Sequence, residues 1–126
     1  MRFRPEQHLS RQSDIRVVRE LGRRVDCRAF TLWWKRRDVP LLIAIPDTPR
    51  VCVVASTAAV GNAVRRNRAK RRLREVFRQH QQSVPAGCDL MLIARAAAQH
   101  APLPDLGRRF TDACGLIPPP ASPLSA

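Results

Sequence analysis

Four apolar stretches along the chain have the pattern of β-strands. Residues 25–35 alternate between the two faces of a strand and are rich in β-branched and aromatic side chains. Residues 41–45 lie between two prolines, residues 51–55 follow another proline, and residues 88–94 read CDLMLIA. These short runs and their breakers predict one strand for each stretch.

Three further stretches have helical patterns. Ser13 and Asp14 can cap a short helix that carries apolar residues at helical spacing and ends at Gly22. Residues 62–82 have the only long helical pattern, and residues 105–114 have a shorter one. The order α-β-β-β-α-β-α predicts an α+β fold in which helices pack on a four-stranded sheet.

The chain of 126 residues has room for one compact domain. We expect this domain to span residues 9–115, after a basic N-terminal tail of residues 1–8. Residues 116–126 are rich in proline and cannot continue a helix or a sheet, so we expect them to form a disordered tail.

The charge of the chain changes this picture, because 23 basic residues stand against 10 acidic ones and give a net charge of +13. Such an imbalance predicts a polyanionic partner, most often a nucleic acid. The excess is concentrated in residues 61–78, where eight basic residues accompany one acidic residue. Nearly all the basic residues are arginines, whose planar guanidinium binds phosphate through two hydrogen bonds and stacks on bases.

The long helix separates its apolar residues from its charged ones. Ala69, Leu73, Val76 and Phe77 fall within an arc of roughly 100° that can pack on a sheet. The opposite side carries Asn67, Lys70, Arg71, Arg74 and Arg78, with Arg68 and Arg72 on its flank. A merely solvated face usually mixes positive and negative charges, which this face does not, so a bound polyanion is the favoured interpretation.

Residues with catalytic or metal-binding chemistry are sparse. The three histidines are isolated, and the aspartates are scattered singly rather than paired as in a two-metal nuclease. The four cysteines form no CxxC pair and are expected to be free thiols, most of them buried. Neither a signal peptide nor a transmembrane stretch is evident, so we expect a cytoplasmic protein.

Residues 61–75 resemble a known family signature. Their pattern G-N-A-V-x-R-N-x-x-K-R-x-x-R-E is similar to that of the ribonuclease P protein family, whose R-N-R core corresponds to residues 66–68. The block from Asp14 to Trp33 and the segment 88–95 also resemble the family's first helix, first strand and later "yDivviaR" strand. The resemblance covers about residues 9–115.

The resemblance implies a two-layer α/β sandwich in which the R-N-R helix joins the sheet through a left-handed crossover. It implies a protein subunit of ribonuclease P, an endoribonuclease whose RNA subunit carries out the cleavage with Mg²⁺ that is held mainly by the RNA. The partners would be the catalytic RNA, bound by the R-N-R helix, and precursor tRNA. The residues expected to bind the catalytic RNA are Arg65, Arg66, Asn67, Arg68, Lys70, Arg71, Arg72, Arg74 and Arg78.

The family also implies a cleft between the sheet and the first helix that holds the single-stranded 5′ leader of precursor tRNA. The candidate residues of this cleft are Ile15, Arg19, Arg28, Thr31 and Trp33. Trp33 is either a platform for a base or an ordinary core aromatic. Ile15 and Arg19 replace two aromatic residues of the family, and alanines 58 and 59 replace a lysine pair. Asn67 is either an RNA ligand or a helix-start residue.

Other classes of protein share parts of this pattern. A small ribosomal or assembly protein would have similar charge and elements without requiring the R-N-R signature. A DNA-binding protein would need a second helix placed for groove docking, and a membrane-surface helix would need a wider apolar arc. A nuclease acting without RNA would need catalytic residues that the sequence does not show.

Overall fold

The computed structural model describes residues 12–36, 49–85 and 87–118. The predicted strand at residues 41–45, the N-terminal tail and most of the proline-rich tail lie outside these residues. At the C-terminal end, Ile117 is 5% exposed and packs in the main core, two residues beyond the predicted end of the domain.

The elements form the order predicted from the sequence, with one short helix added. The helices are α1 (Gln12–Leu21), α2 (Thr57–Val60), α3 (Ala63–His80) and α4 (Leu103–Gly115). The strands are β1 (Arg23–Asp26), β2 (Phe30–Arg36), β3 (Arg50–Val54) and β4 (Cys88–Ala94). Two short 3₁₀ segments, Gln81–Ser83 and Ala96–Gln99, follow α3 and β4. The α+β class, the four-stranded sheet and the order α-β-β-β-α-β-α are confirmed.

The prediction of one continuous strand over residues 25–35 is wrong, because this segment forms most of the β1–β2 hairpin. Arg28 adopts a φ of 65° at the turn, and its backbone N–H donates to Oδ1 of Asp26 at 2.8 Å. The guanidinium of Arg95 donates to Asp26 at 3.0 Å and to the carbonyl oxygen of Arg28 at 3.1 Å. These bonds hold the chain in a hairpin turn. The alternation of apolar and polar residues continues through this turn, so the sequence gives no sign of it.

The sheet is mixed, with the strand order β1-β2-β4-β3. The strands β1, β2 and β4 pair antiparallel, whereas β3 pairs parallel to β4. Helix α3 therefore lies in the connection between two adjacent parallel strands. The left-handed course of this crossover stays a prediction.

Helices cover the two faces of the sheet unequally. The face carrying Phe30, Leu32 and Leu90 packs against α3 and α4, and Phe77 meets Phe110 edge-on with ring centroids 6.3 Å apart. This sheet and helix layer form the predicted sandwich. Of the helices that the structure describes, only α1 packs on the opposite face, which we call the open face. It does so through a smaller cluster of Ile15, Val18, Trp33, Cys52, Val54, Met91 and Ile93.

Gly22 sets the position of α1 on the sheet. Its N–H donates to the carbonyl oxygen of Val18 at 2.9 Å, which closes the last turn of the helix. A Cβ at this position would lie 2.7 Å from the carbonyl oxygen of Trp34 and still closer to that of Val18. Only glycine fits this close approach of helix end and strand.

We expect Gly22→Ala to lower the free energy of unfolding by about 2–3 kcal/mol, because the added methyl group meets two backbone oxygens that cannot move independently. Gly115→Ala is the matched control, since no atom lies within 4 Å of its added Cβ, and it should be neutral or stabilise by up to about 1 kcal/mol. Denaturant unfolding of both variants measures the difference. Equal stabilities would contradict the assigned packing of α1.

Candidate nucleic-acid interface

Helix α3 begins at a side-chain cap. Oδ1 of Asn62 accepts a hydrogen bond from the backbone N–H of Arg65 at 3.0 Å, as an N-cap residue does. Asn67 lies inside the helix and is exposed, so its interpretation as a helix-start residue is wrong. The short helix α2, capped by Ser56, precedes α3 and was not predicted.

The apolar side of α3 is the one predicted from the sequence. Ala69, Leu73, Val76 and Phe77 are each at most 1% exposed and lie in the main core. The side chains at 65, 67, 68, 71 and 74 are exposed, whereas those at 66, 70, 72 and 78 are half-buried. The helix is thus fixed by one side and presents cations on the other, a surface that we call the α3 ridge (residues 65–68, 70, 71 and 74).

Two arginines predicted to bind RNA also bind groups within the protein. Nε of Arg72 donates to the carbonyl oxygen of Ala98 at 2.9 Å, and the same guanidinium also binds the carbonyl oxygen of Ala101. Arg78 forms a two-point ion pair with Glu75, which holds the pKa of that carboxyl below its usual range. Arg72 and Arg78 therefore fasten local structure, and we leave them out of the ridge.

The open face of the sheet brings together three of the five predicted cleft residues. Ile15 and Trp33 are half-buried and belong to one apolar cluster with Val18 of α1. The guanidinium carbon of Arg19 lies 5.2 Å from the centroid of the Trp33 ring, a cation–π contact. Thr31 is on the same face but only 6% exposed, and its hydroxyl accepts a hydrogen bond from Arg95 at 3.1 Å. Thr31 is therefore almost inaccessible on this face.

The open face continues from Trp33 to the edge strand β3. Cys52, Val54 and Ile93 form a half-buried apolar strip in the same cluster as Trp33. Burial raises the pKa of the Cys52 thiol, while the nearby positive charges of Lys70 and Arg74 act in the opposite direction. The cations of α3 therefore lie close enough to β3 to border this face.

A buried ion pair at one end of the open face was missed from the sequence. The guanidinium of Arg50 binds both carboxylate oxygens of Asp89 at 2.8 and 2.7 Å, and Asp89 is only 5% exposed. The two residues are direct partners in the parallel register of β3 and β4. No local pattern joins positions 39 residues apart, so only the strand pairing reveals the contact.

Arg28 is not part of the cleft. It lies at the turn of the hairpin and lines a depression with residues of α4, the helix that packs on the opposite face of the sheet from α1. We call this feature the α4 depression; its charged or wall-forming residues are Arg28, Ala97, Ala101, Asp105, Arg108 and Arg109.

The cysteines are free thiols, as expected. Cys27, Cys88 and Cys114 are buried, and Cys52 is half-buried. Burial raises the pKa of Cys27 and of Cys114 to about 12. Within residues 12–36, 49–85 and 87–118, no group of three or more His, Cys, Asp or Glu side chains could hold a metal ion. Among the helices described, none combines the length and apolar character that a membrane span requires.

Comparisons with known proteins give a consistent result. The model of the Ribonuclease P family matches residues 3–116. A ribonuclease P protein component from Syntrophobacter fumaroxidans is 35% identical over 99 residues, covering 78% of this chain and 76% of the relative. One from Xanthomonas oryzae pv. oryzae is 32% identical over 125 residues, covering 97% of this chain and 80% of the relative.

Solved structures show the same fold. The RNase P protein from Thermotoga maritima superposes with a TM-score of 0.72 at 21% identity, covering 88% of this chain and 97% of that one. The RNase P protein from Staphylococcus aureus gives a TM-score of 0.68 at 24% identity, covering 87% and 94%.

The fold and the cationic helix define a small basic nucleic-acid-binding protein of the α+β class. The match of the family model over nearly the whole chain is more specific. The chain belongs to the ribonuclease P protein family, the protein subunits of the endoribonuclease holoenzyme that matures the 5′ ends of tRNA. Membership implies the ribonuclease P RNA as a partner. The resemblance read from residues 61–75 is confirmed.

We expect iodoacetamide to alkylate Cys52 before the other three cysteines of the native protein, because Cys52 alone is half-buried. The high pKa of Cys27 and Cys114 leaves almost no reactive thiolate at neutral pH. Mass spectrometry of the peptides after timed alkylation measures the order. In denaturant all four should react at similar rates, and a native order that begins with Cys27 or Cys88 would contradict the packing.

Proposed function

We propose that the α3 ridge binds the catalytic RNA and that the cleft between α1 and the open face of the sheet binds the 5′ leader of precursor tRNA. The observation that carries the proposal is the division of α3 into a fully buried apolar side and an exposed cationic side. Lys70 and Arg74 lie near enough to Cys52 for their positive charges to act on the pKa of its thiol, so the two surfaces are neighbours. One protein could therefore contact both RNAs at once.

The α3 ridge has an unbalanced charge. The only acidic residue of α3 is Glu75, and its carboxylate is occupied by Arg78 and by Gln79, which donates at 3.0 Å. The exposed cations Arg65, Arg68 and Arg71 repel one another at helical spacings of three, and no carboxylate of the helix offsets this. Phosphates of a folded RNA would supply the missing negative charge.

The cleft has the components that single-stranded nucleic acid requires, an aromatic platform beside basic groups. Trp33 provides the ring, and Arg19 lies over it as a planar cation that can bind phosphate or extend the stack. Ile15 and the apolar strip of Cys52, Val54 and Ile93 extend the apolar surface beside the ring. Arg19 thus provides a planar group for stacking where the family carries an aromatic residue on this helix.

The proposal assigns no bond-breaking step to protein side chains. The described residues do not fit a metal site of the protein's own, so Mg²⁺ is proposed to be held mainly by the RNA partner. The protein's part is to bind and orient the two RNAs. The proposal includes a cytoplasmic location, where the precursor substrate is found.

Replacing Arg68 or Arg74 with alanine should weaken binding of the organism's ribonuclease P RNA and flatten the dependence of log K on log salt by about 0.7–0.9 per lost phosphate contact. Titrations at several salt concentrations measure the slope. Arg23→Ala is the matched control, because Arg23 is equally exposed but lies on β1. If all three variants keep the wild-type slope, the ridge does not bind phosphate.

Replacing Trp33 with alanine should reduce the affinity of the assembled holoenzyme for leader-bearing precursor by about 1–3 kcal/mol, the value of one stacked base. Affinity for mature tRNA, which has no leader, should hardly change. Trp34→Ala is the control, since Trp34 is also half-buried but packs with the core on the opposite face. Equal losses for both tRNAs in the Trp33 variant would remove Trp33 from the cleft.

A further inference from the structure

The α4 depression is a second basic surface, separate from both proposed RNA sites. It is a cavity of about 240 Å³ between the turn of the β1–β2 hairpin, the 3₁₀ segment Ala96–Gln99 and the first half of α4. A volume of this size exceeds that of a phosphate group and leaves room for part of a nucleotide. Its walls combine the small side chains of Ala97 and Ala101 with charged groups at the rim.

The charge around the α4 depression is predominantly positive. Three arginines line it against one carboxylate, that of Asp105, which is bound by Arg108 at 2.9 Å. Among the residues that the structure describes, the guanidinium groups of Arg28 and Arg109 form no ion pair. These features favour an anion.

The hairpin turn holds Arg28 at the rim of the depression at a conformational cost. A φ of 65° is uncommon for a residue other than glycine and persists where surrounding contacts impose it. Here the carboxylate of Asp26 accepts a hydrogen bond from the backbone N–H of Arg28. The guanidinium of Arg95 donates both to this carboxylate and to the carbonyl oxygen of Arg28. Arg95 is therefore a positioning residue, and the backbone that carries the Arg28 side chain is fixed before any ligand binds.

One wall of the α4 depression is fastened to α3. Arg72 binds the carbonyl oxygens of Ala98 and Ala101, and Ala101 lines the depression. Both α3 and α4 pack on the face of the sheet opposite α1. An RNA held by the α3 ridge can therefore extend over the segment 96–101 to the depression, whereas the leader cleft opens on the other face.

We propose that the α4 depression binds a phosphate of the catalytic RNA through Arg28 and Arg109, beside the ion pair of Arg108 with Asp105. The contact would give the RNA a second attachment point beyond α3 and fix the rotation of the protein about the helix. It rests on cations that the proposed function does not use, so the two assignments can fail separately.

The test compares Arg28→Asn, Arg109→Gln and the double variant with Arg23→Gln. Asparagine tolerates a positive φ, so Arg28→Asn removes the charge while preserving the turn. Titration of the organism's ribonuclease P RNA at several salt concentrations should show the slope of log K flattened by about 0.7–0.9 if the variants lose one phosphate contact. Arg23→Gln should keep the wild-type slope. Arg109→Gln alone tests the site if Arg28→Asn unfolds, because Arg109 is an exposed helix residue.

A wild-type slope for Arg28→Asn, Arg109→Gln and the double variant, beside a flattened slope for Arg68→Ala, would overturn the α4 depression as a site and leave the role of α3 intact. A normal affinity for the catalytic RNA with a weakened affinity of the holoenzyme for precursor tRNA would also overturn it, because the phosphate would then belong to the substrate. A flattened slope in the variants of the α4 depression, beside a wild-type slope for Arg68→Ala, would support the depression and refute the ridge.

Discussion

Strand β4 is the constraint on which the rest of the molecule depends. It pairs antiparallel with β2 and parallel with β3, and helices cover both of its faces. Leu90 and Leu92 are fully buried toward α3 and α4, whereas Met91, 3% exposed, packs against α1. A slip of one residue would exchange the two sets of side chains between the faces, so burial fixes the register. The same register places α1 and α3 on opposite faces of the sheet, and the proposed leader cleft and the α4 depression consequently lie on different sides.

The magnitudes explain how a strongly cationic helix folds without RNA. Each like-charged pair at helical spacing costs about 0.2–0.5 kcal/mol, whereas burying one large apolar side chain contributes about 1.5–3 kcal/mol. Leu73, Val76 and Phe77 are all buried on the main core, so their burial exceeds the repulsion of several pairs. The repulsion that remains is relieved when phosphates approach. Folding of α3 is therefore driven by the burial of its apolar side chains against the sheet, and the charged side chains of the helix stay available for binding.

Sequence periodicity predicted the parts of the structure in which each residue's position depends on its near neighbours. The buried side of α3 and the strand β4 follow from spacings of three or four and two, and both were placed within a few residues. The hairpin was missed because Arg28 gives no sign of a positive φ, which the bonds from Asp26 and Arg95 impose. Periodicity assigns a residue to a face, but its contacts across the fold come from the strand pairing and the packing of helices.

The arginines show why net charge alone does not measure an RNA interface. Arg50 is bound to buried Asp89, Arg72 is bound to two carbonyl oxygens, and Arg95 bridges three groups of the hairpin. A guanidinium suits such roles because it directs several donors in one plane, and it keeps its charge while doing so. These structural arginines still raise the positive potential that attracts a polyanion over a distance. The cations proposed to position an RNA are instead mostly those whose hydrogen bonds the fold leaves unused, and these lie on the α3 ridge and at the rim of the α4 depression.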